Sequence, residues 1–433
     1  MPINKKYFVS SVALSLALCM AQIRGSRMLI LLCLGAYMVM LAWGSVRNHT
    51  LPLLLYFMPW SQLMRLGPDS FSFFTFGLVM VCAIGVMKKK LSLKVYALLA
   101  GFLLASMTLL AKLLERYPLT FGYVAFLMMI VLIPVVKEEY KFEKYDFYHA
   151  TVFLSAGVVV AALCAMRYAT LPNISRYIRV ASWSNIIRRC GFYGDPNFYT
   201  AQITAAMGGC LVLLLREKKK KRTVWLMALL AVLVYCGFLS GSKSFVLVSL
   251  LMLCLWLLRL VQVRNRWGLK LLLLLSMILL GIYIANSELF RNLLQVIETR
   301  FSDSANLNRL TTGRAAIWKR YAAAWVGDAK TFFLGKGIAD VILGRKSMHN
   351  SILQALFQLG LLGTPVLCFW IWNFLRDGLR GRVRNIRLEQ QLQILLIGVF
   401  LPWMAIDILL FDDFFLLQWY VFVAYRVGVT KSE

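Results

Sequence analysis

Residues 313–363 read GRAAIWKRYAAAWVGDAKTFFLGKGIADVILGRKSMHNSILQALFQLGLLG, and they pass from a cationic polar segment into an apolar one. The apolar run that begins here occupies residues 352–374. A run of that length suits a helix that crosses a hydrocarbon core of roughly 30 Å. Either Asn350 or Ser351 can cap such a helix with a side-chain oxygen. The stretch therefore predicts that a polar loop meets a membrane-spanning helix directly after His349.

Similar apolar runs fill most of the chain, in which 60% of the residues are hydrophobic. The other runs, bounded by charged residues, are 7–22, 28–46, 71–87, 95–111, 121–136, 147–166, 197–215, 223–239, 245–262, 268–285, 392–408 and 414–425. They show no period-2 alternation, and an open sheet leaves backbone groups unpaired in lipid, so strands are not expected in them. We predict an all-α polytopic membrane protein, in which residues 1–433 form one transmembrane domain of about 12–14 helices.

The apolar segment 51–66 differs from the other runs because Pro52 and Pro59 interrupt it. Proline removes a backbone donor and breaks the interior of a helix. Three courses are open to this segment: it crosses the membrane, re-enters from one side, or lies in the interface.

The chain has a formal charge of +29, and most of its cations lie in short loops between apolar runs. Strong positive charge can indicate a nucleic-acid partner, but membrane proteins concentrate Lys and Arg in their cytoplasmic loops. The second explanation is simpler, so we expect the lipid bilayer and no nucleic acid as a partner. The loops assigned to the cytoplasm are 216–222, 259–270 and 376–387, and those assigned to the outer side are 167–197, 240–244 and 286–351.

The outer loop 286–351 is long enough to fold, and its sequence pattern is helical. Residues 288–301 alternate apolar and charged side chains at helical spacing, which is typical of an amphipathic helix lying on a membrane surface. A second helix is predicted to begin near Thr312. Its apolar face consists of Ile317, Tyr321 and Trp325. Gly335 and Gly337 then break the chain for a turn, so the loop is expected to fold back onto the membrane.

The first outward loop ends in the sequence RRCGFYGDPN at residues 188–197. Arg188 and Arg189 are candidate binding groups for an anion. Asp-Pro-Asn forms a turn and a helix N-cap by itself, so Asp195 and Asn197 are assigned supporting roles.

The other two outward loops supply further cations. The sequence SGSKS at residues 240–244 places Lys243 between two helices, where it is also compatible with an ordinary tight turn. The large loop carries Arg314 and His349. Guanidinium groups fork onto phosphate oxygens, an ammonium adds a point charge, and helix N-termini offer free N–H groups. Together these groups form a candidate cradle for a lipid-linked diphosphate, or a clamp for lipid head groups without any reaction.

His349 is the candidate base among only three histidines in the chain. A neutral imidazole can take a proton from a sugar hydroxyl, which is what a glycosyl transfer requires of a base. The alternative is a structural histidine that only hydrogen-bonds near the start of a helix.

The order of these motifs resembles that of the O-antigen ligase and O-antigen polymerase superfamily. The resemblance rests on GFYGDPN before an apolar helix, SGSKS between two helices, and then TGRAAIW, FLGKGI and HNSILQALFQLGLLG in and after a large loop. It covers about residues 188–363. It implies an all-helical glycosyltransferase of the bacterial inner membrane that acts on the outer side. Such an enzyme transfers a glycan from undecaprenyl diphosphate to an acceptor sugar without a metal.

The resemblance also implies roles for individual residues. Arg314 would hold the donor diphosphate, His349 would assist the acceptor hydroxyl, and Arg189 would lie near the same pocket. The family usually carries Arg where this chain has Lys243. Lysine cannot make a bidentate contact, so Lys243 supplies charge alone or Arg189 takes over part of its role.

Polymerases and ligases of this superfamily share these residues, because both act on the same donor and differ in the acceptor. The acceptor is another lipid-linked repeat unit for a polymerase and a lipid-anchored core for a ligase. We favour a polymerase, since polymerases serve capsules, exopolysaccharides and O-antigens alike, and keep the ligase as the alternative. The expected protein partners are a flippase and a chain-length regulator.

Two further classes of protein make different predictions. A transporter or flippase of polyprenyl-linked sugars should carry polar or charged residues inside several spans. Here the runs are mostly apolar, with Gln202, Gln354 and Asp407 as exceptions. A membrane scaffold predicts that no single outward residue matters.

Neither a metal nor another cofactor is expected. The outward carboxylates Asp195, Asp303, Asp328 and Asp340 are scattered in sequence. They form no close acidic pair of the kind that holds a divalent cation or cleaves a glycoside. The nine cysteines lie mostly inside apolar runs and show no metal-binding spacing.

Overall fold

A computed structural model describes most of the chain, namely residues 5–47, 49–67, 70–88, 93–115, 121–139, 143, 145–177, 181–183, 186–193, 195–217, 219–262, 313–338, 347–376, 386–409 and 411–427. Its helices are α1 (Lys5–Arg24), α2 (Arg27–Val46), α3 (Thr50–Phe57), α4 (Phe73–Lys88), α5 (Val95–Glu115), α6 (Phe121–Glu139), α7 (Asp146–Tyr168), α8 (Pro172–Ser175), α9 (Pro196–Arg216), α10 (Lys220–Leu239), α11 (Lys243–Gln262), α12 (Arg314–Val326), α13 (Ala329–Leu334), α14 (Ser351–Arg376), α15 (Ile386–Phe400) and α16 (Asp412–Val427). Short 3-10 helices cover Met58–Trp60 and Leu401–Ala405, and strands β1 (Ala181–Trp183) and β2 (Ile186–Arg188) form an antiparallel hairpin.

Eight helices of the described chain are long and apolar enough to cross a membrane: α1, α2, α5, α7, α9, α10, α11 and α14. The chain is therefore a helical, multi-pass membrane protein, as its composition predicted. The apolar helices α4 and α6 are shorter. The predicted span 268–285 and the predicted amphipathic helix 288–301 lie outside the described residues. The total of about 12–14 crossing helices stays a prediction.

The interrupted segment 51–66 forms a short buried helix. Its apolar helical part, Thr50–Trp60, combines α3 with the 3-10 helix that follows it. A helix of that length covers about 16 Å, roughly half of a hydrocarbon core. It packs closely against α7, where a Cβ added to Gly157 would lie 2.2 Å from the carbonyl oxygen of Tyr56. The segment therefore does not cross as one full-length helix.

The apolar run 392–408 is not one helix either. Helix α15 ends at Phe400, a 3-10 helix follows, and Ile406 is extended with φ −140° and ψ 165°. The physical reason is Pro402, which has no N–H to donate to the carbonyl of Gly398; that carbonyl accepts from Thr204 instead. Residues 406–409 therefore form a non-helical segment, which places Asp407 beside the start of α14.

Helix α9 lies at the centre of the bundle, and its whole apolar stretch is buried. It contacts α7, α10, α11 and α15. Small residues allow this close packing. The hydroxyl of Thr204 donates to the carbonyl of Gly398 on α15 at 2.8 Å. A Cβ on Gly209 would lie 1.8 Å from the hydroxyl oxygen of Tyr420 on α16. The N-terminus of α9, which begins directly after Asp195, is thus held by a rigid centre.

Helix α12 begins at Arg314, close to the helix start predicted near Thr312. It shares a small core with α14, in which Tyr321, Met348 and Phe357 are buried. The indole N–H of Trp318 donates to the carbonyl of Met348 at 2.9 Å. These contacts bind α12 to the segment that immediately precedes His349.

Helix α14 is broken at Gly360, which has φ +67° and ψ −175°. Because the helix is interrupted, carbonyl groups just before Gly360 can accept hydrogen bonds from the segment that precedes α14. The backbone N–H of Lys336 donates to the carbonyl of Phe357 at 2.9 Å, and that of Gly337 donates to Gln358 at 2.9 Å. The first two turns of α14 are therefore anchored separately from the rest of the helix.

Candidate functional site

One carboxylate holds the start of α14. The Asp407 side chain accepts hydrogen bonds from the backbone N–H groups of His349, at 3.0 Å, and Asn350, at 3.1 Å. The side chain of Asn350 then caps the helix, because its Oδ1 accepts from the backbone N–H groups of Ile352 and Leu353. Of the two residues predicted as possible caps, Asn350 and Ser351, Asn350 is the one that caps the helix. These bonds satisfy backbone donors that a helix leaves unpaired in its first turn.

His349 adopts a left-handed backbone conformation with φ +50°, which no other non-glycine residue of the described chain does. For a non-glycine residue, this conformation costs roughly 1–3 kcal/mol. The bond from its own N–H to Asp407, and the bond from the next N–H to the same carboxylate, offset that cost. The backbone of His349 is thus held in one conformation that aims its side chain.

The segment that carries Asp407 is joined to the first turn of α14. The Ser351 hydroxyl donates to the carbonyl of Ile406 at 2.7 Å and accepts from the N–H of Ile408 at 3.2 Å. The N–H of Leu409 donates to the side-chain oxygen of Gln354 at 3.2 Å. Asp407 therefore has a fixed position relative to His349.

The turns at residues 188–197 and 240–244 form one unit at the start of α9. Asp195 caps this helix, and its Oδ1 accepts from the backbone N–H of Asn197 at 2.6 Å and from the side-chain amide at 3.0 Å. The Oδ1 of Asn197 accepts from the hydroxyl of Ser242, in the SGSKS turn, at 2.9 Å. The backbone N–H of Arg189 donates to the carbonyl of Leu239 at 3.0 Å. Both turns are thereby fixed against each other.

His349 meets Asp195 across these elements. Its Nδ1 lies 3.9 Å from Oδ2 of Asp195, and both side chains are a little over one quarter exposed. Its Nε2 lies 3.3 Å from the hydroxyl of Ser347. The Oδ1 of Asp195 is occupied by Asn197, so Oδ2 is the oxygen that faces the imidazole. The pair combines a titratable ring with a carboxylate able to stabilise its charged form.

Arg314 is the third member of the site, at the first position of α12. Burial lowers the pKa of its guanidinium, and the carboxylates of Asp195 and Asp407 act in the opposite direction. The guanidinium therefore lies within electrostatic reach of both carboxylates. The four residues Arg314, His349, Asp195 and Asp407 come from four separate parts of the chain and gather at one end of the bundle.

The other predicted cations lie in the adjoining turns. Arg189 is half-buried and follows the hairpin, and Lys243 is the half-buried first residue of α11. The two residues flanking Lys243 have hydroxyl groups that reach the side-chain oxygen of Asn197, at 2.9 and 3.5 Å. Arg188 lies in β2, and its side chain falls outside the description.

Asp407 is the site residue that sequence analysis did not select. In the sequence it stands only as a charged exception within an apolar run. The available signal was its charge, because an ionisable residue inside an apolar run marks a candidate functional site. Its partner His349 is 58 positions away in sequence, so spacing gave no further indication.

The site offers a positive group, a histidine and two carboxylates at the rim of a membrane bundle. Among the described residues, no group of three or more His, Cys, Asp or Glu side chains could hold a metal ion. No protein-family model matches the chain, and no characterised protein shows significant sequence similarity to it. The chemistry of the site therefore has to follow from its side chains.

Proposed function

We propose that this protein is a polymerase of the bacterial cytoplasmic membrane that joins oligosaccharide repeat units linked to undecaprenyl diphosphate. The product is a surface polysaccharide such as an O-antigen, a capsule or an exopolysaccharide. The proposal keeps the superfamily suggested by the sequence motifs, with about 12–14 crossing helices. The site then faces the outer side, opposite the cationic loops 216–222 and 376–387.

One observation carries the proposal: His349 and Arg314 share the carboxylates Asp195 and Asp407 at one end of the bundle. The candidate anion-binding residue Arg314 and the candidate base His349 are 35 positions apart (349 − 314 = 35). Arg314 begins α12, whereas His349 lies just before α14. Asp407 holds the backbone N–H of His349, Asp195 lies 3.9 Å from its imidazole, and both carboxylates act on the guanidinium of Arg314. This convergence favours an enzyme over a scaffold.

The proposed reaction uses these groups as follows. The acceptor hydroxyl oxygen forms a bond to the anomeric carbon of the donor, and the bond from that carbon to the diphosphate oxygen breaks. The diphosphate leaves with the bonding electrons and is stabilised by Arg314, with charge from Lys243 and Arg189. The imidazole of His349 takes the hydroxyl proton, and Asp195 stabilises the resulting imidazolium. No redox step and no metal enter the reaction.

The polar residues within the spans also support an enzyme over a transporter. Gln202 was one of the few polar exceptions in the apolar runs, and its amide donates to the carboxylate of Asp413 at 2.7 Å. Both side chains are buried and bonded to each other. This arrangement is typical of a packed interior, whereas a transport path requires polar groups that face a cavity.

The test is complementation of a deletion strain with wild type, His349→Ala, Arg314→Ala or the control Lys319→Ala at matched protein levels. Lys319 is an exposed cation on the same helix as Arg314. Surface and lipid-linked glycans are separated by gel electrophoresis. A polymerase predicts that the two site variants accumulate single lipid-linked repeats while the control makes wild-type ladders. Long unattached chains would indicate a ligase, and wild-type ladders from all variants would refute the enzyme.

A further inference from the structure

The GFYGDPN turn has a second anchor, which lies deeper in the bundle than the site. Tyr193 belongs to this turn, two positions before Asp195, and its hydroxyl donates to Oδ1 of Asp413 at 2.9 Å. The same hydroxyl lies 3.2 Å from the carbonyl oxygen of Met58 and 3.3 Å from the hydroxyl of Ser61. A tyrosine has one hydroxyl hydrogen, and the carboxylate is the nearer and stronger acceptor.

Asp413 is buried at the first turn of α16, with only 4% of its surface exposed. Its Oδ2 accepts from the side-chain amide of Gln202 on α9 at 2.7 Å, so both carboxylate oxygens are engaged. A buried carboxylate is costly unless it is hydrogen-bonded. The Asp413 carboxylate is therefore stabilised by hydrogen bonds from Tyr193 and Gln202. Through Tyr193, these bonds connect the GFYGDPN turn to the centre of the bundle.

The described residues on either side of Tyr193 and Asp195 are also closely packed. Gly191 has φ +57°, and a Cβ there would lie 2.9 Å from the ring of Tyr199. The ring of Tyr193 stacks on Phe198 with centroids 6.1 Å apart and 8° between the planes. After Asp195, Asn197 is bonded to Ser242. Asp195 is consequently clamped from both sides, by Tyr193 before it and by Asn197 after it.

We propose that Asp413 and Tyr193 are positioning residues for glycan transfer: their hydrogen bond fixes the turn so that Asp195 meets His349. The inference rests on the proposed function. Neither residue touches the reacting groups in this arrangement, and both act through the position of Asp195. Their loss is expected to lower the rate of transfer and to leave binding of the diphosphate group nearly unchanged.

The neighbouring Asp412 provides a matched control. It lies on the same first turn of α16 and carries the same charge. Its carboxylate accepts from the hydroxyl of Thr75 on α4, at 2.6 Å, and has no bond to the turn among the described residues. Asp412→Leu therefore removes an equal charge without releasing Tyr193.

The structure also predicts which substitution of Asp413 is tolerated. In Asp413→Asn, the remaining oxygen can still accept from Tyr193. The new amide nitrogen would face Gln202, whose Oε1 is buried and has no hydrogen-bond partner among the described residues. Rotation of the Gln202 amide brings this oxygen to the new donor. Asp413→Asn is thus expected to retain most of the rate, whereas Asp413→Leu is not.

The experiment measures elongation of lipid-linked glycan in membranes and binding of undecaprenyl diphosphate, both per amount of protein, for each variant. Tyr193→Phe keeps the aromatic packing, so its membrane level should match wild type. Tyr193→Phe and Asp413→Leu are expected to slow elongation roughly 10- to 100-fold, with binding changed less than about threefold. Asp413→Asn and Asp412→Leu should stay within about threefold of wild type.

A double-mutant cycle identifies the route of the effect. If Tyr193 acts through Asp195, Tyr193→Phe should change the rate less than about twofold in an Asp195→Asn background. Equal slowing in both backgrounds, or wild-type elongation by Tyr193→Phe and Asp413→Leu, would overturn the inference. His349→Ala is measured in parallel. If His349→Ala fails to elongate the glycan while Tyr193→Phe elongates it at the wild-type rate, only the inference is refuted. If His349→Ala elongates the glycan at the wild-type rate, the proposed function is refuted.

Discussion

Replacement of Asp407 by asparagine is expected to slow glycan transfer by about 10- to 100-fold without preventing folding. The carboxylate makes two charge-assisted hydrogen bonds to successive backbone N–H groups, at 3.0 and 3.1 Å. Each such bond contributes about 1.5–3 kcal/mol. Together they offset the roughly 1–3 kcal/mol that the left-handed conformation of His349 costs.

Asparagine keeps only one of these bonds. Its side chain has one acceptor oxygen, and its amide nitrogen would face the second N–H as another donor. The loss is therefore about 1.5–3 kcal/mol, and each 1.36 kcal/mol corresponds to about tenfold in rate. Folding should survive, because the Asn350 cap and the bonds between Ser351 and Ile406 remain.

The assay is the initial rate of lipid-linked glycan elongation in membranes, divided by the amount of folded protein. Asp328→Asn is the matched control. Asp328 is an exposed N-cap of α13 whose carboxylate accepts from the N–H of Thr331 at 3.0 Å. Asparagine keeps one acceptor oxygen for this bond, so the variant removes the same charge away from the site. Equal rates for Asp407→Asn, Asp328→Asn and wild type would refute the assigned role of Asp407.

Three other predictions concern α14, Arg314 and metals. Gly360→Ala should lower the yield of folded protein, since φ is +67° and a Cβ would lie 2.3 Å from a backbone oxygen. Gly35→Ala should not lower the yield, because the space around Gly35 is open. Equal yields of the two variants in size-exclusion chromatography would contradict this prediction. Arg314→Lys should weaken binding of undecaprenyl diphosphate about tenfold, because lysine cannot fork onto two phosphate oxygens, while Lys319→Ala should leave binding unchanged. Elongation is expected to continue in a chelator, and loss of activity that one added metal restores would disprove metal independence.

Local rules predicted the parts of the site that depend on neighbouring residues. Asp195 before Pro196 is an N-cap in the structure, and Asn350 caps α14. The start of α12 also lies close to the predicted position, although its N-cap is Gly313, which makes no side-chain cap bond. A cap requires only a side-chain oxygen and a free N–H a few positions away, so the sequence contains all the necessary information.

Tertiary contacts determined what the sequence did not reveal. Asp407 meets His349 because the apolar run changes from α15 to a 3-10 helix at Pro402 and then to an extended backbone at Ile406. The bond between Tyr193 and Asp413 joins residues 220 positions apart. No periodicity or spacing in one chain encodes such a distance, although a charged residue within an apolar run is a reason to look for a partner.

The break in α14 was hidden for a similar reason. Gly360 stands in an apolar stretch that predicts a continuous helix, and a single glycine is tolerated in many helices. Its role becomes clear only through the segment at Lys336 and Gly337, whose backbone N–H groups bond to the carbonyls before the break. The composition fixed the class of protein, whereas the geometry of the site required the folded chain.

The most direct test of the central claim uses the purified protein in lipid nanodiscs with lipid-linked oligosaccharides extracted from a deletion strain. The measured quantities are glycan length and released undecaprenyl diphosphate. The proposal predicts one released undecaprenyl diphosphate for each repeat unit added, in the wild type and Lys319→Ala but in neither His349→Ala nor Arg314→Ala. Absence of elongation by the wild type, or elongation that persists in both site variants, would contradict it.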